Sequence, residues 1–402
     1  MLLSSRGRRI GGRVALGVVS TLVLAATGYA WSQLSKLDNG IVTADVIPPA
    51  AQIDTEDAPA GEPLKVAQNI LLVGIDARTD AYGNPLPQNV LDALHAGSGD
   101  DGGDTTDTII VVHIPAGGAA ATAISIPRDS YVDIAGGYGK HKINSAYSRG
   151  KNAAMSGLRA QGLSGPQLEV AANEAGAKTA IQTVEKFTGL TINHYAAINL
   201  AGFDALSQAV GGVEVCLKAP VHDSYSGADF PAGPQTLTGA QALAFVRQRH
   251  GLLNGDLDRI ARQQAFLSGM AKNVLNAGTF TDPSKLNALV GAVQGAVVLD
   301  KGWDVLSFAQ QLRGMTSGAI GFATIPVQSL SLQTPSDGDA VKVDPAQVQQ
   351  FVHTAISTPA VQASGDAASI GVRPVAATGT STPTPGTTQK QPATSTAAGC
   401  VN

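Results

Sequence analysis

Arg247, Arg249, Arg259 and Arg262 crowd into the segment FVRQRHGLLNGDLDRIARQQ, in a chain whose charged residues make up only 14% of the total. A guanidinium presents a fixed fork of donors that meets two phosphate oxygens at once, so arginines gathered this closely suit a concentrated anion such as a diphosphate. The same residues could instead tie a helix to a sheet edge through ion pairs, and spacing alone leaves both readings open. Residues 237–245 read as a short helix leading into an extended VRQR, where residues two apart share a face, so Arg247 and Arg249 are expected to project together. After a turn at Gly251 and Asn254-Gly255, Asp256 stands where an N-cap belongs and a helix runs towards Val274. Leu257, Ile260, Leu267, Met270 and Val274 form its expected buried stripe. Arg259, Arg262, Gln263 and Phe266 follow i, i+3, i+4, i+7 spacing on another face. Free N–H groups at a helix start already favour anions, which makes Arg259, Arg262 and Gln263 a candidate diphosphate seat.

Two weaker signals accompany the cluster. Arg128 sits in SIPRDS directly after a strand, and strand ends are where open α/β sheets place ligands; an ordinary turn is the competing reading. Asp76 ends the first strand, while Asp104 and Asp107 lie in GDTTDT at the entry to the second. Carboxylates at adjacent strand ends can share one Mg²⁺ with substrate phosphates and water, although aspartates also cap turns. The basic stretch KHKINSAY, residues 140–147, reads as a loop. No GxSxG, P-loop or HExxH pattern offers a rival chemistry, and His250 is the one of seven histidines beside the arginines.

These side chains need a frame. Residues 69–75, 108–114, 121–126, 194–200 and 212–217 are short apolar runs that read as strands, with helical patterns at 168–187 and 200–210. Such alternation predicts an α/β layered domain around a central sheet. Residues 79–103, ending GSGDDGG, form a long polar connection between the first two strands, of the kind that is usually functional or mobile.

Composition and topology narrow the setting. With 402 residues, 44% of them hydrophobic, there is material for a large core. Aromatics at 4% do not suggest stacking sites for nucleobases or for strings of sugars. A net charge of -4 and the lack of a helix-turn-helix pattern argue against nucleic acid. Arg6, Arg8, Arg9 and Arg13 make residues 1–13 basic, and residues 14–35 are uncharged over a length that spans a bilayer. The positive-inside rule then keeps the N-terminus cytoplasmic and sends the rest outside the cell, as a single-pass membrane protein. A cleaved signal peptide is the alternative, but the apolar run continues past its candidate cleavage site. Residues 36–63 read as a linker, 64–357 as the folded domain and 358–402 as a low-complexity Thr/Pro-rich tail. Cys216 and Cys400 are too few for a scaffold or a zinc site; outside the cell they either pair or stay as two thiols.

Taken in order, ILLVGIDAR, DTTDTIIVVHI, ISIPRDSYV, KINSAYSRG, LTGAQALAFVRQRH and GDLDRIARQQ resemble the LytR-CpsA-Psr family over residues 68–277. The resemblance implies an α-β-α fold with a central mixed sheet and a tunnel for a lipid tail. It implies an enzyme that moves a glycan from a polyprenyl-diphosphate carrier to peptidoglycan, forming a phosphodiester on the muramic acid C6 hydroxyl. Diphosphate binding would fall on Arg128, Arg247, Arg249, Arg259, Arg262 and Gln263, and Mg²⁺ on Asp76 and Asp107. Asp256 would be a further acid beside the phosphates, acting with Arg128, Arg247 and Arg249 in the chemistry. The 79–103 segment separates Asp76 from Asp107 by more than in compact members. The Ala-rich composition and the CVN-ending tail point to actinobacterial relatives, where arabinogalactan is the attached polymer; teichoic acid and capsular polysaccharide are the alternatives. Outside transfer, a polyprenyl-diphosphate phosphatase and a non-enzymatic wall regulator are the competing functions.

Overall fold

The computed structural model describes residues 41–53, 64–99, 103–117, 120–275, 294–304, 320–357 and 399–402, with isolated positions between 284 and 292. The expected anchor, residues 14–35, and most of the Thr/Pro-rich tail lie outside the described residues. Among the described residues no helix is long and apolar enough to cross a membrane.

The chain begins β1 (Val42–Ala44), β2 (Gln68–Ile75), α1 (Gln88–Ala93), β3 (Thr106–Ile114), β4 (Ala121–Ser125), β5 (Tyr131–Ile134) and β6 (Gly139–Lys142). The helices α2 (Ser145–Ala160) and α3 (Gly165–Thr188) follow, then β7 (His194–Asn199), α4 (Leu200–Ala209) and β8 (Val213–Leu217). Next come β9 (Val221–Asp223), β10 (Ala228–Phe230), β11 (Gly233–Leu237), α5 (Gly239–Arg247) and α6 (Asp256–Leu275). The last elements are β12 (Val297–Asp300), β13 (Ile320–Thr324), β14 (Ser329–Gln333), β15 (Asp339–Lys342) and α7 (Pro345–Ser357).

Seven strands make one mixed sheet in the order β1-β12-β7-β2-β3-β4-β13. β2 runs parallel to β7 and antiparallel to β3, so both its edges are paired and its apolar run is central. Alternation along it feeds two layers. Leu71, Val73 and Ile75 enter one core with Ile181, Val184 and Phe187 of α3 and Val348 and Val352 of α7. Leu72 and Gly74 face the opposite side, where α4, α5 and α6 lie and a second core gathers Leu243, Phe245 and Phe266. The result is the expected α-β-α layering. α2 and α3 pack so closely that a Cβ on Gly150 would lie 2.1 Å from Thr179 Oγ1.

Four local readings change. Residues 36–63 are not only a linker: within them β1 pairs with β12 at one edge of the sheet, and Val46 and Ile47 are buried in the first core. The 79–103 segment is not simply a polar connection: it contains α1 and buries Leu91, Leu94 and Ala96 in the second core. Its few apolar residues are spaced to cover that core, a signal hidden by the polar residues around them. Residues 140–147 are not a loop but the end of β6 and the start of α2, whose Ala146 and Tyr147 are buried. β7 stops at Asn199, because the Asn199 side chain accepts the Gly202 N–H at 2.7 Å and caps α4.

The open question of the cysteines is answered by a Cys216–Cys400 disulfide. Beside it Val401 N–H donates to Cys216 O and Lys218 N–H to Val401 O, both at 2.9 Å, so residues 400–402 lie along β8.

Candidate active site

β2 ends beside the start of its antiparallel neighbour β3, and their pairing slips by one residue there: Gly74 opposes Thr108 while Ile75 opposes Thr106. Asp107 is the extra residue of this bulge, and bulges re-aim side chains that would otherwise follow the pleat. Its carboxylate meets Arg128 Nη1 at 2.7 Å, from the turn after β4, and Arg259 Nη1 at 4.0 Å, from the first turn of α6. Arg259 Nη2 also donates to the Asp107 carbonyl at 3.4 Å and pairs with Asp256 one turn earlier on the same helix. Asp256 Oδ2 is buried with no hydrogen-bond partner among the described residues.

The two carboxylates sit in opposing fields. Burial pushes Asp107 up, but Arg128 and Arg259 together outweigh it and hold the group below the ordinary carboxylate range. For Asp256 burial prevails, helped by Asp129 and Asp107, and the group is raised despite Arg259 and Arg128. Neighbouring acids pushed apart in this way divide into one permanent anion and one candidate proton acceptor.

Behind these charges lies a cavity of about 250 Å³ between the sheet and α4, α5 and α6. Its walls include Leu72, Ile110, Ile198, Phe203, Leu206, Leu243, Leu267 and Met270, and its polar groups include Asp76, Asp107, Arg247, Arg259 and Gln263. Asp76 pairs with Arg78 at 2.7 Å, and Arg78 also donates to the Ala96 carbonyl at 3.1 and 2.8 Å, fastening the 79–103 segment beside the site. The longer separation of Asp76 from Asp107 in sequence therefore does not keep them from the same cavity.

The arginines do not all arrive. Arg247 is the last residue of α5, not part of an extended segment, and its Nη1 donates to the carbonyls of Leu94 and His95 at 3.1 and 3.2 Å. The helix continues through Val246 because Leu243, Ala244, Phe245 and Val246 are all buried. Arg249 follows the helix break, is exposed and does not line the cavity, so it does not share a face with Arg247. Arg262 is fully buried and turned away from the cavity. It donates to Gln248 Oε1 and to the main-chain oxygen of Asn402, with its guanidinium 5.2 Å from the Phe245 ring centre. Burial lowers it to about 10, against the pull of Asp258 and Asp223.

Along α6 the expected stripes are reversed in part. Ile260 and Met270 are buried as expected, but so are Arg259, Arg262, Gln263 and Phe266, whereas Leu257 and Leu267 are half-buried, Leu267 because it lines the cavity. Asp256 is the first residue of the helix rather than its cap. Gln263 reaches the cavity and donates to the Val246 carbonyl at 3.3 Å. Asp104 turns away to Lys151, at 2.6 Å. Asp129, the other half of the turn reading, braces Arg128, and Arg78, in IDAR but without a sequence signal of its own, braces Asp76.

Among the described residues no three metal-ligating side chains stand together, so there is no all-protein metal cage. Asp76 and Asp107 line one cavity, and Asp76 Oδ1 is buried with only its Arg78 ion contact. Two carboxylates with space for other oxygens fit Mg²⁺, which typically takes one or two carboxylates and completes its shell with phosphate and water.

A model of the LytR_cpsA_psr family matches residues 50–355. The chain is 43% identical over 346 residues to the cell wall biosynthesis protein LcpA of Corynebacterium glutamicum, covering 86% of this chain and 65% of that one. It therefore spans slightly less than two thirds of that relative's length. A second relative is the polyisoprenyl-teichoic acid–peptidoglycan teichoic acid transferase TagU of Enterococcus faecalis, 30% identical over 69% of this chain and 75% of its own. The fold is shared with TagV of Bacillus subtilis, with a TM-score of 0.52 and 24% identity over 73% of this chain and 98% of the other. The family model spans both the acids at the strand ends and the arginines of α5 and α6, and on that match the chain belongs to the LytR-CpsA-Psr family.

Proposed function

We propose that this protein is a membrane-anchored transferase that moves a glycan from a polyprenyl-diphosphate carrier to peptidoglycan outside the cell. The observation that carries the reading is the apolar cavity ending in Arg247, Arg259, Asp76 and Asp107. An alkyl chain joined to a diphosphate has the same division, apolar along its length and anionic at one end. The buried walls would take the first isoprene units, and the guanidiniums would take the phosphates.

Transfer then needs positioning and charge neutralisation more than covalent help. Arg247 and Arg259 hold the diphosphate, with Arg128 braced against Asp107 beside them. Asp256, raised by burial, accepts the proton of the muramic acid C6 hydroxyl as its oxygen attacks the glycan-side phosphorus. The bond to the bridging oxygen breaks, polyprenyl phosphate leaves, and a phosphodiester joins glycan to wall. Arg128, Arg247 and Arg259 stabilise the charge on the transferring phosphoryl group, the first and last held before reaction by ion pairs to Asp107 and Asp256 and Arg247 by the Leu94 and His95 carbonyls. Mg²⁺, held by Asp76 and Asp107, would supply further neutralisation of the diphosphate oxygens. Arg249 and Arg262 act outside this set.

Residues 14–35 would be the anchor, with residues 1–13 in the cytoplasm and the catalytic domain outside, residues 64–357 together with β1 and residues 400–402 that pack onto them. The Cys216–Cys400 disulfide supports an oxidising compartment. Similarity to a Corynebacterium wall-biosynthesis protein favours arabinogalactan as the polymer. Incubation with a lipid-linked oligosaccharide, peptidoglycan and Mg²⁺ tests the reading: a glycan-phosphate-muropeptide supports transfer, and free phosphate alone indicates a phosphatase.

A further inference from the structure

The rim beside Arg247 carries an aromatic pair with no part in the chemistry above. Tyr225 is 74% exposed, and its ring centre lies 4.4 Å from that of His250, tilted by 35°. Asp223, almost fully buried, builds the pair. It accepts the Tyr225 N–H at 3.0 Å and the Ser226 hydroxyl at 2.8 Å, and its Oδ1 lies 3.8 Å from His250 Nδ1. The exposed ring is therefore presented by a braced turn.

That turn reaches the proposed phosphate site through His95. Gly227 packs so tightly on the His95 ring that a Cβ would lie 2.6 Å from its Cδ2, and the His95 carbonyl accepts from Arg247. Arg249, exposed and without a place in the cavity, precedes His250 directly. A flat, exposed ring beside a histidine whose neighbour in sequence is an exposed arginine suits a saccharide, whose C–H face stacks on the ring while its hydroxyls take polar donors. Aromatic scarcity in the chain speaks against a string of sugars, but one braced pair is enough for one sugar.

We propose that Tyr225 and His250, with Arg249, form the subsite for the sugar joined to the donor's diphosphate. The inference rests on the reading of the cavity as a lipid-diphosphate site. It commits to the donor rather than the acceptor because the rim is continuous with Arg247, which that reading places on the phosphates.

The test compares binding of farnesyl diphosphate and farnesyl-diphospho-N-acetylglucosamine to the intact protein by calorimetry. The wild type should prefer the sugar-bearing probe by roughly tenfold, the size of one good ring contact. Tyr225→Ala, an exposed substitution, should abolish most of that preference and leave farnesyl diphosphate binding unchanged; Tyr225→Phe should keep it. An unaltered preference in Tyr225→Ala, or no preference in the wild type, overturns the subsite while the cavity reading stands. If Tyr225→Ala weakens only binding of a soluble peptidoglycan tetrasaccharide, the ring serves the acceptor and the proposal is wrong. Binding of neither probe by the wild type brings down the cavity reading itself, and the subsite with it.

Discussion

Asp107 and Arg259 meet twice: the Asp107 carboxylate lies 4.0 Å from Arg259 Nη1, and its carbonyl accepts from Nη2 at 3.4 Å. One residue is the bulge at the start of β3 and the other lies in the first turn of α6, so the contact joins the sheet to the helix layer at the polar end of the cavity. Arg259→Lys keeps a charge but loses the fork that serves the Asp107 carbonyl and Asp256 together. Its expected effect is a fall in ligation of roughly 100-fold or more, the scale of one lost preorganised donor. Ligation assays beside circular dichroism check this; wild-type turnover would remove Arg259 from the site.

Asp256 links catalysis to stability through its protonation. A carboxylate raised in the folded state binds its proton more tightly there than in the unfolded chain. The ionised form thus lowers stability at neutral pH, and this cost disappears as pH falls through the folded and then the unfolded pKa. Asp256→Asn should therefore stabilise the protein at neutral pH, with the gain shrinking towards the ordinary carboxylate range, while ligation collapses. Urea unfolding across pH tests the sign, and a destabilised neutral-pH variant would contradict it.

The disulfide and Arg262 form one unit. Arg262 is buried under residues that Cys216–Cys400 holds in place, and its partners include the Asn402 main-chain oxygen. Cys216→Ser should lower stability by about 5 kcal/mol on the loop-entropy scale for a sequence separation of 184 residues. A melt of the oxidised and reduced protein measures this. Equal melting temperatures would mean that the tail contributes nothing to the fold.

Gly150→Ala probes the layer on the far side of the sheet. The new Cβ would fall 2.1 Å from Thr179 Oγ1 and 2.9 Å from the Ala175 carbonyl, so α2 and α3 must separate. Overpacking of this kind costs about 1–3 kcal/mol, readable as a lower urea midpoint. An unchanged midpoint would show that the helix pair yields without strain.

How much was legible follows from where the information resides. The strands were readable because β2, β3 and β4 are unbroken apolar runs bounded by turn residues. The acids and Arg128 were readable because strand ends can be located from those runs. Arginine orientation was not. Arg247 and Arg249 are separated by a helix break whose position depends on tertiary burial of Phe245 and Val246. Arg262 is claimed by Gln248 and by Asn402, a residue distant in sequence, and helical spacing alone carries no record of either. The Tyr225–His250 pair was hidden for the same reason, since the residues that brace it come from separate elements.

The central claim is that the Arg247–Arg259–Asp107 end of the cavity transfers a glycan phosphate. Mass spectrometry of muropeptides after incubation with lipid-linked oligosaccharide, peptidoglycan and Mg²⁺ tests it most directly, with Asp107→Ala as the control. The account predicts a muropeptide carrying the glycan through a phosphodiester, equimolar polyprenyl monophosphate, and loss of both in Asp107→Ala. Release of glycan or inorganic phosphate without any modified muropeptide would contradict it.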